Sequence, residues 1–156
     1  MEPIEIGVLF SSSGVTAAVE ETQRRAVLLA AEEINEAGGV LGRELAPVCV
    51  DPASCPPRYG QLSEQLIFER GIRLFLGCYM SSARKAVIPL VERHDALLFY
   101  GAAYEGFEFS RNVFYGGAAP NQNILPLAGH MLARHGSRVA MVGSDYVCPY
   151  EANRVM

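Results

Sequence analysis

The chain has 156 residues, of which half are hydrophobic and 19% charged, and its net charge is −4. That length suits one domain with a real core. The mildly acidic balance, with Lys85 as the single lysine, leaves no basic patch for direct contact with DNA or RNA. No apolar run reaches the length of a membrane span, so membrane insertion is not expected.

In chain order, Ile4 to Phe10 alternates and then runs apolar, which predicts a first strand. Ser11-Ser12-Ser13-Gly14 follows as a polar turn and lacks the glycine spacing of a dinucleotide-binding loop. Glu20 to Glu36 predicts a helix whose apolar face carries Val27, Ala30, Ala31 and Ile34. Ala37-Gly38-Gly39 stops it. Leu45 to Val50 predicts a second strand, and Asp51-Pro52 with Pro56-Pro57 marks a surface loop. Tyr59, Leu62 and Leu66 give the next helix its buried stripe, and Gly71 ends it.

Ile72 to Leu76 predicts a buried third strand, Gly77 to Ser82 a short loop, and Ala83 onward a helix with Val87, Leu90 and Val91 inward. Pro89 should kink that helix or confine its first part to a short turn. Ala96 to Tyr100 and Asn112 to Tyr115 predict two more strands, Asn121 to His135 a helix, and Arg138 to Val142 a sixth strand. Another helix should begin after Pro149.

Strands and helices alternate throughout, which predicts an α/β fold with a doubly wound parallel sheet. A last strand with no helix to cover it implies that the chain is part of a longer protein. Met1, two residues before the first strand and without a charged-then-apolar leader, points to the cytosol. The alternative is a periplasmic protein whose leader has been removed.

In such a sheet, small ligands bind at the carboxyl ends of strands beside the following helix N-termini. Ser81 and Ser82 stand at one such place, where a hydroxyl and unpaired N–H groups suit a carboxylate or a neutral carbonyl oxygen. A serine there also serves simply as a helix cap. Tyr79, Tyr100, Tyr104, Tyr115 and Tyr146 all fall at or just beyond strand ends on that same edge. Aromatics there often only seal the core, but five together point to a pocket lining.

Catalysis has little to work with. The Gly-x-Ser-x-Gly elbow is absent, and Cys78 has no neighbouring base. His94, His130 and His135 lie on helices or at their ends, and Glu105 with Glu108 reads equally well as a solvated loop face. Cys49, Cys55, Cys78 and Cys148 show no Cys-x-x-Cys spacing, so neither a metal nor any other cofactor is expected. The chain therefore reads as a binding protein, not an enzyme.

Val27 to Leu45, with Ala-Ala-Glu-Glu-Ile-Asn-Glu-Ala-Gly-Gly-Val-Leu-Gly-Arg-Glu-Leu, resembles the first helix, turn and strand of type I periplasmic-binding proteins. Gly77-Cys-Tyr-Met-Ser, Arg84-Lys-Ala-Val, Tyr104-Glu-Gly-Phe-Glu, Tyr115-Gly-Gly, Ala119-Pro-Asn-Gln-Asn and Gly143-Ser-Asp-Tyr resemble its amide and urea branch. That branch includes the amide-binding negative regulators of aliphatic amidase operons.

The resemblance implies two Rossmann-like lobes facing across a cleft. Residues 1–117 would be the first lobe, incomplete, and 118–156 the start of an incomplete second. It further implies that Ser81 holds the ligand, that Tyr79 and Tyr100 wall it, and that Tyr146 closes from the second lobe. Ala102 and Cys148 stand at two more contact positions but depart from the branch, which has threonine and tyrosine there. The amino-acid branch bridges two loops with a disulfide. Cys55 occupies one position, but Met80 holds the other and Cys78 lies two residues too early, so that bridge stays open. The implied ligand is a small neutral amide or urea-like molecule, and the implied partner is an antiterminator-type regulatory protein. The alternative is a transport receptor that presents urea, a short amide or a branched-chain amino acid to an ABC permease. A homo-oligomer is compatible with either.

Overall fold

The computed structural model describes residues 2–156. Five parallel strands form one sheet in the order β2-β1-β3-β4-β5. They are β1 (Ile4–Leu9), β2 (Leu45–Val50), β3 (Leu74–Gly77), β4 (Leu97–Tyr100) and β5 (Val113–Tyr115). The helices are α1 (Ala17–Glu36), α2 (Pro56–Arg70), α3 (Ser81–Arg93), α4 (Ile124–His135) and α5 (Val147–Val155).

Because side chains alternate across a strand, each face of the sheet has its own set. Phe75, Leu98, Tyr100 and Val113 point to the face where α2 and α3 pack together, and all are buried. With Leu9, Tyr59, Leu66, Ile67, Val87 and Val91 they form the core. Each large apolar side chain withdrawn there contributes about 1.5–3 kcal/mol. Leu76, Phe99 and Phe114 point to the other face, which α1 shares. There Phe99 and Phe114 stack at 4.8 Å and remain partly exposed.

Two loops are pinned beneath the carboxyl edge by a buried carboxylate. Glu20 accepts from the Ser11 N–H (2.8 Å), the Tyr59 hydroxyl (2.7 Å) and Thr16. Asp51 accepts from the Ser13 hydroxyl and from the amides of Ser12 and Ala53. These bonds join the β1–α1 loop to the β2–α2 loop.

Gly71 ends α2 in the left-handed conformation (φ 69°), with its N–H on the Ile67 carbonyl. The exit of β3 is tighter still. Gly77 has φ 149°, and a Cβ there would meet the Leu9 carbonyl oxygen at 2.4 Å. Cys78 follows at φ 67°, an uncommon conformation for a residue with a side chain.

Three expectations change. Helix α3 begins at Ser81, not Ala83, because the two left-handed residues turn the chain at once. It also continues through Pro89, which is exposed, so its first part is not confined to a short turn. Residues 138–142 do not form a strand. A strand needs a neighbour for its N–H and C=O groups, and no described strand lies beside this segment. Val142 is 97% exposed. Beyond β5, α4 and α5 pack on each other, and α5 also meets α3.

Candidate ligand site at the carboxyl edge

The carboxyl ends of β1, β3 and β4 surround a cavity of about 210 Å³. Phe10, Cys78, Tyr79, Gly101 and Ala102 line it from the strand ends, and Gln23, Ala26 and Val27 from α1. Tyr79 leaves the strained turn outward and is 37% exposed. Cys78 stays fully buried, and burial pushes its thiol well above the usual range, so it is an inert apolar group.

Neither serine caps α3. The N-cap is Met80, and the Ser81 hydroxyl donates to Glu105 Oε2 at 2.8 Å. Ser81 is buried and does not line that cavity. The N–H groups of Ser81 to Ala83 precede the first intrahelical bond, Arg84 N–H to the Met80 carbonyl, with Ser81 and Ala83 buried and Ser82 half-buried.

Tyr100 is also buried. Its hydroxyl donates to the carbonyls of Tyr79 (3.2 Å) and Ala103 (3.3 Å), so its ring underlies the edge and is no open wall. Arg84, fully buried, lies over that ring at 4.6 Å. Its guanidinium reaches Glu105 at 2.6 Å and Glu108 at 2.7 Å. Burial alone would make this cation easier to deprotonate, but the two carboxylates hold it firmly protonated. Burial would likewise raise both glutamates, but Arg84 at Glu105 and Lys85 with Arg84 at Glu108 outweigh it and lower them. All three are therefore charged.

Tyr146 precedes α5 as its N-cap, and Cys148 lies in its first turn. Burial raises the Tyr146 phenol to about 12, with further contributions from Cys148, Tyr79 and Tyr100. Tyr146 and Cys148 thus come near Tyr79 and Tyr100, and Ala102 lines the cavity. All six residues lie at or under one edge, but only Tyr79 and Tyr146 present substantial exposed aromatic surface. Asp145 accepts from the Tyr150 hydroxyl at 2.7 Å. The four cysteines are free.

A larger depression of about 630 Å³ lies at the opposite, amino edge, with Arg43, Arg70 and Arg73. Arg70 pairs with Glu5 there, and Arg43 donates to the carbonyls of Glu2 and Pro3. It is remote from the edge where this fold binds ligands.

Residues 4–156 match the family model described as periplasmic binding protein domain. The chain belongs to that family. It is 28% identical over 102 residues to the leucine-, isoleucine-, valine-, threonine- and alanine-binding protein of Pseudomonas aeruginosa, covering 65% of this chain and 27% of that protein. Among solved structures, it resembles a solute-binding protein of an ABC transporter from R. palustris in complex with 4-hydroxybenzoate (TM-score 0.83, 23% identity), over 98% of this chain and 42% of the other. It also resembles the branched-chain amino acid transporter substrate-binding protein of Streptococcus pneumoniae in complex with isoleucine (TM-score 0.76, 22% identity), over 85% of this chain and 38% of the other. The chain therefore spans less than half the length of each. These structural likenesses establish the fold of the binding domain.

Proposed function

We propose that this chain is the gripping part of a solute-binding receptor that delivers a small carboxylate with an apolar body to an ABC permease. An amino acid or an aromatic acid fits that description. The observation that carries the reading is the joining of α3's first turn to two exposed phenols, Tyr79 and Tyr146, on one edge. Free N–H groups and the helix dipole suit a carboxylate, and the rings suit an apolar body. The two solved structures described above are transporter binding proteins, which favours transport over regulation and a site of action outside the cytoplasmic membrane over the cytosol.

In this reading residues 1–117 are the first lobe and 118–156 open the second. The ligand bridges them and biases the pair toward closure. Ser81 contributes its N–H, Tyr79 and Tyr146 enclose the ligand, Tyr100 supports them from below, and Ala102 and Cys148 leave room for bulk.

One observation keeps a second reading in view. Arg84, which lies over the Tyr100 ring, is consumed by Glu105 and Glu108. A lining without a spare charge also suits a neutral amide or urea-like ligand, sensed by a receptor that acts on an antiterminator-type protein.

Isothermal titration of the longest form the gene encodes, against isoleucine, 4-hydroxybenzoate, acetamide and urea, separates the two. Micromolar binding of either carboxylate supports transport. Binding of acetamide or urea alone contradicts the carboxylate reading and supports a neutral ligand, and co-purification with an antiterminator-type protein then supports the sensor over a urea or amide transporter. Silence toward all four contradicts both.

A further inference from the structure

Arg84 is the largest fully buried side chain among the described residues. A paired buried charge still loses its hydration, and an apolar side chain of similar volume often serves stability as well or better. What a guanidinium adds is direction, because its planar fork fixes several partners at once.

The partners here come from the β4–β5 connection and from the ends of β4 and β5. Glu105 and Glu108 belong to the β4–β5 connection. Glu105 in turn accepts the Ser81 hydroxyl, at the first residue of α3. Glu108 also takes Lys85 Nζ at 2.7 Å and the Tyr115 hydroxyl at 3.0 Å. The rings of Tyr100, Tyr104 and Tyr115 lie 4.6, 5.4 and 5.8 Å from the guanidinium carbon. Tyr100 passes the constraint on through its hydroxyl to the carbonyls of Tyr79 and Ala103.

We propose that Arg84 is a positioning residue of the binding edge. It touches no ligand. It locks the 101–110 segment, Tyr79 and the first turn of α3 into one rigid frame, so that N–H groups and rings stand ready before a ligand arrives. Ser81 acts through this frame as well, because its hydroxyl is spent on Glu105. The inference rests on the proposed ligand edge for its purpose, but its geometry is tested without any ligand.

Arg84→Lys keeps the charge but loses the fork and the flat face. Hydrogen exchange on the ligand-free protein should show the 101–110 amides exchanging about tenfold faster or more, with β1 and β3 amides unchanged. Isoleucine and 4-hydroxybenzoate are the titration probes, and whichever binds should weaken about tenfold. Unchanged exchange in 101–110 would overturn the proposal. So would equal loosening of loop and sheet, which is what a merely structural residue gives. If Arg84→Lys does not fold, Glu108→Gln carries the same exchange test. Loosening of 101–110 without binding of either probe would uphold the positioning and overturn the transport reading.

Discussion

Arg84 Nη2 lies 2.6 Å from Glu105 Oε1, with their side chains only 0% and 1% exposed. The pair clamps α3 to a loop twenty-one residues further along the chain. Removing Glu105 leaves the buried Arg84 with Glu108 as its one carboxylate and the Ser81 hydroxyl without its acceptor, whereas removing both members of the pair leaves no half-paired cation. Glu105→Ala should cost about 1.5–3 kcal/mol in urea unfolding, the range for lost hydrogen bonds to a charged group. Arg84→Met combined with Glu105→Leu should cost clearly less than the sum of the single changes. Additive losses would mean that the two groups do not interact.

Asp51 ties the β1–α1 and β2–α2 loops together. Burial would raise its carboxyl, but hydrogen bonds from the Ser13 hydroxyl, Ala53 and Ser12 outweigh it and hold the group at about 2 against an ordinary 3.8. A lowered carboxylate contributes stability that is fully present above its unfolded value and lost as pH falls through the folded one. Thermal melts should therefore decline from about pH 4 toward pH 2 through this group. Asp51→Asn should flatten that part of the profile and lower stability at pH 7. An identical acid limb in the variant would assign the loss to other carboxylates.

Phe107 sits in the left-handed region (φ 60°), and its ring receives the Arg154 guanidinium at 3.8 Å. One residue lies in the β4–β5 connection and the other on α5, so the contact joins the two parts expected to close on a ligand. A double-mutant cycle with Phe107→Leu and Arg154→Met should give a coupling of about 0.5–1 kcal/mol, as for an exposed cation–π pair. Zero coupling would mean that the contact adds nothing to the docking of α5.

Much of the sheet is legible in the sequence because buried parallel strands are short apolar runs bounded by turn residues. Ile4–Leu9, Leu45–Val50 and Leu97–Tyr100 are found this way. Residues 138–142 carry the same signal but form no strand, since a run of apolar residues says nothing about the presence of a neighbour. The start of α3 is missed because serines read as caps, while the turn is made by backbone angles at Gly77 and Cys78.

At the edge itself, the clustering of tyrosines is readable from their places at strand ends. The burial of Tyr100 and of Ser81 is not, because both follow from Arg84. A buried cation leaves no local pattern, and Glu105 with Glu108 resembles any solvated acidic loop. The signal available was the coincidence of Arg84, Glu105, Glu108 and three tyrosines among segments that the topology brings side by side. Glu20 escapes notice similarly: as a glutamate in a helix's first turn it reads as a surface residue, yet three segments converge on it.

In the proposed binding mode, backbone N–H groups at the start of α3 hold a small carboxylate, and Tyr79 and Tyr146 enclose it. A crystal structure of the protein with 4-hydroxybenzoate or isoleucine bound tests it directly. The expected complex has a carboxylate oxygen within about 3 Å of the Ser81 or Ser82 amide nitrogen, with the Ser81 hydroxyl still on Glu105. A ligand seated at the amino-edge depression, or held by a Ser81 hydroxyl swung away from Glu105, would contradict it.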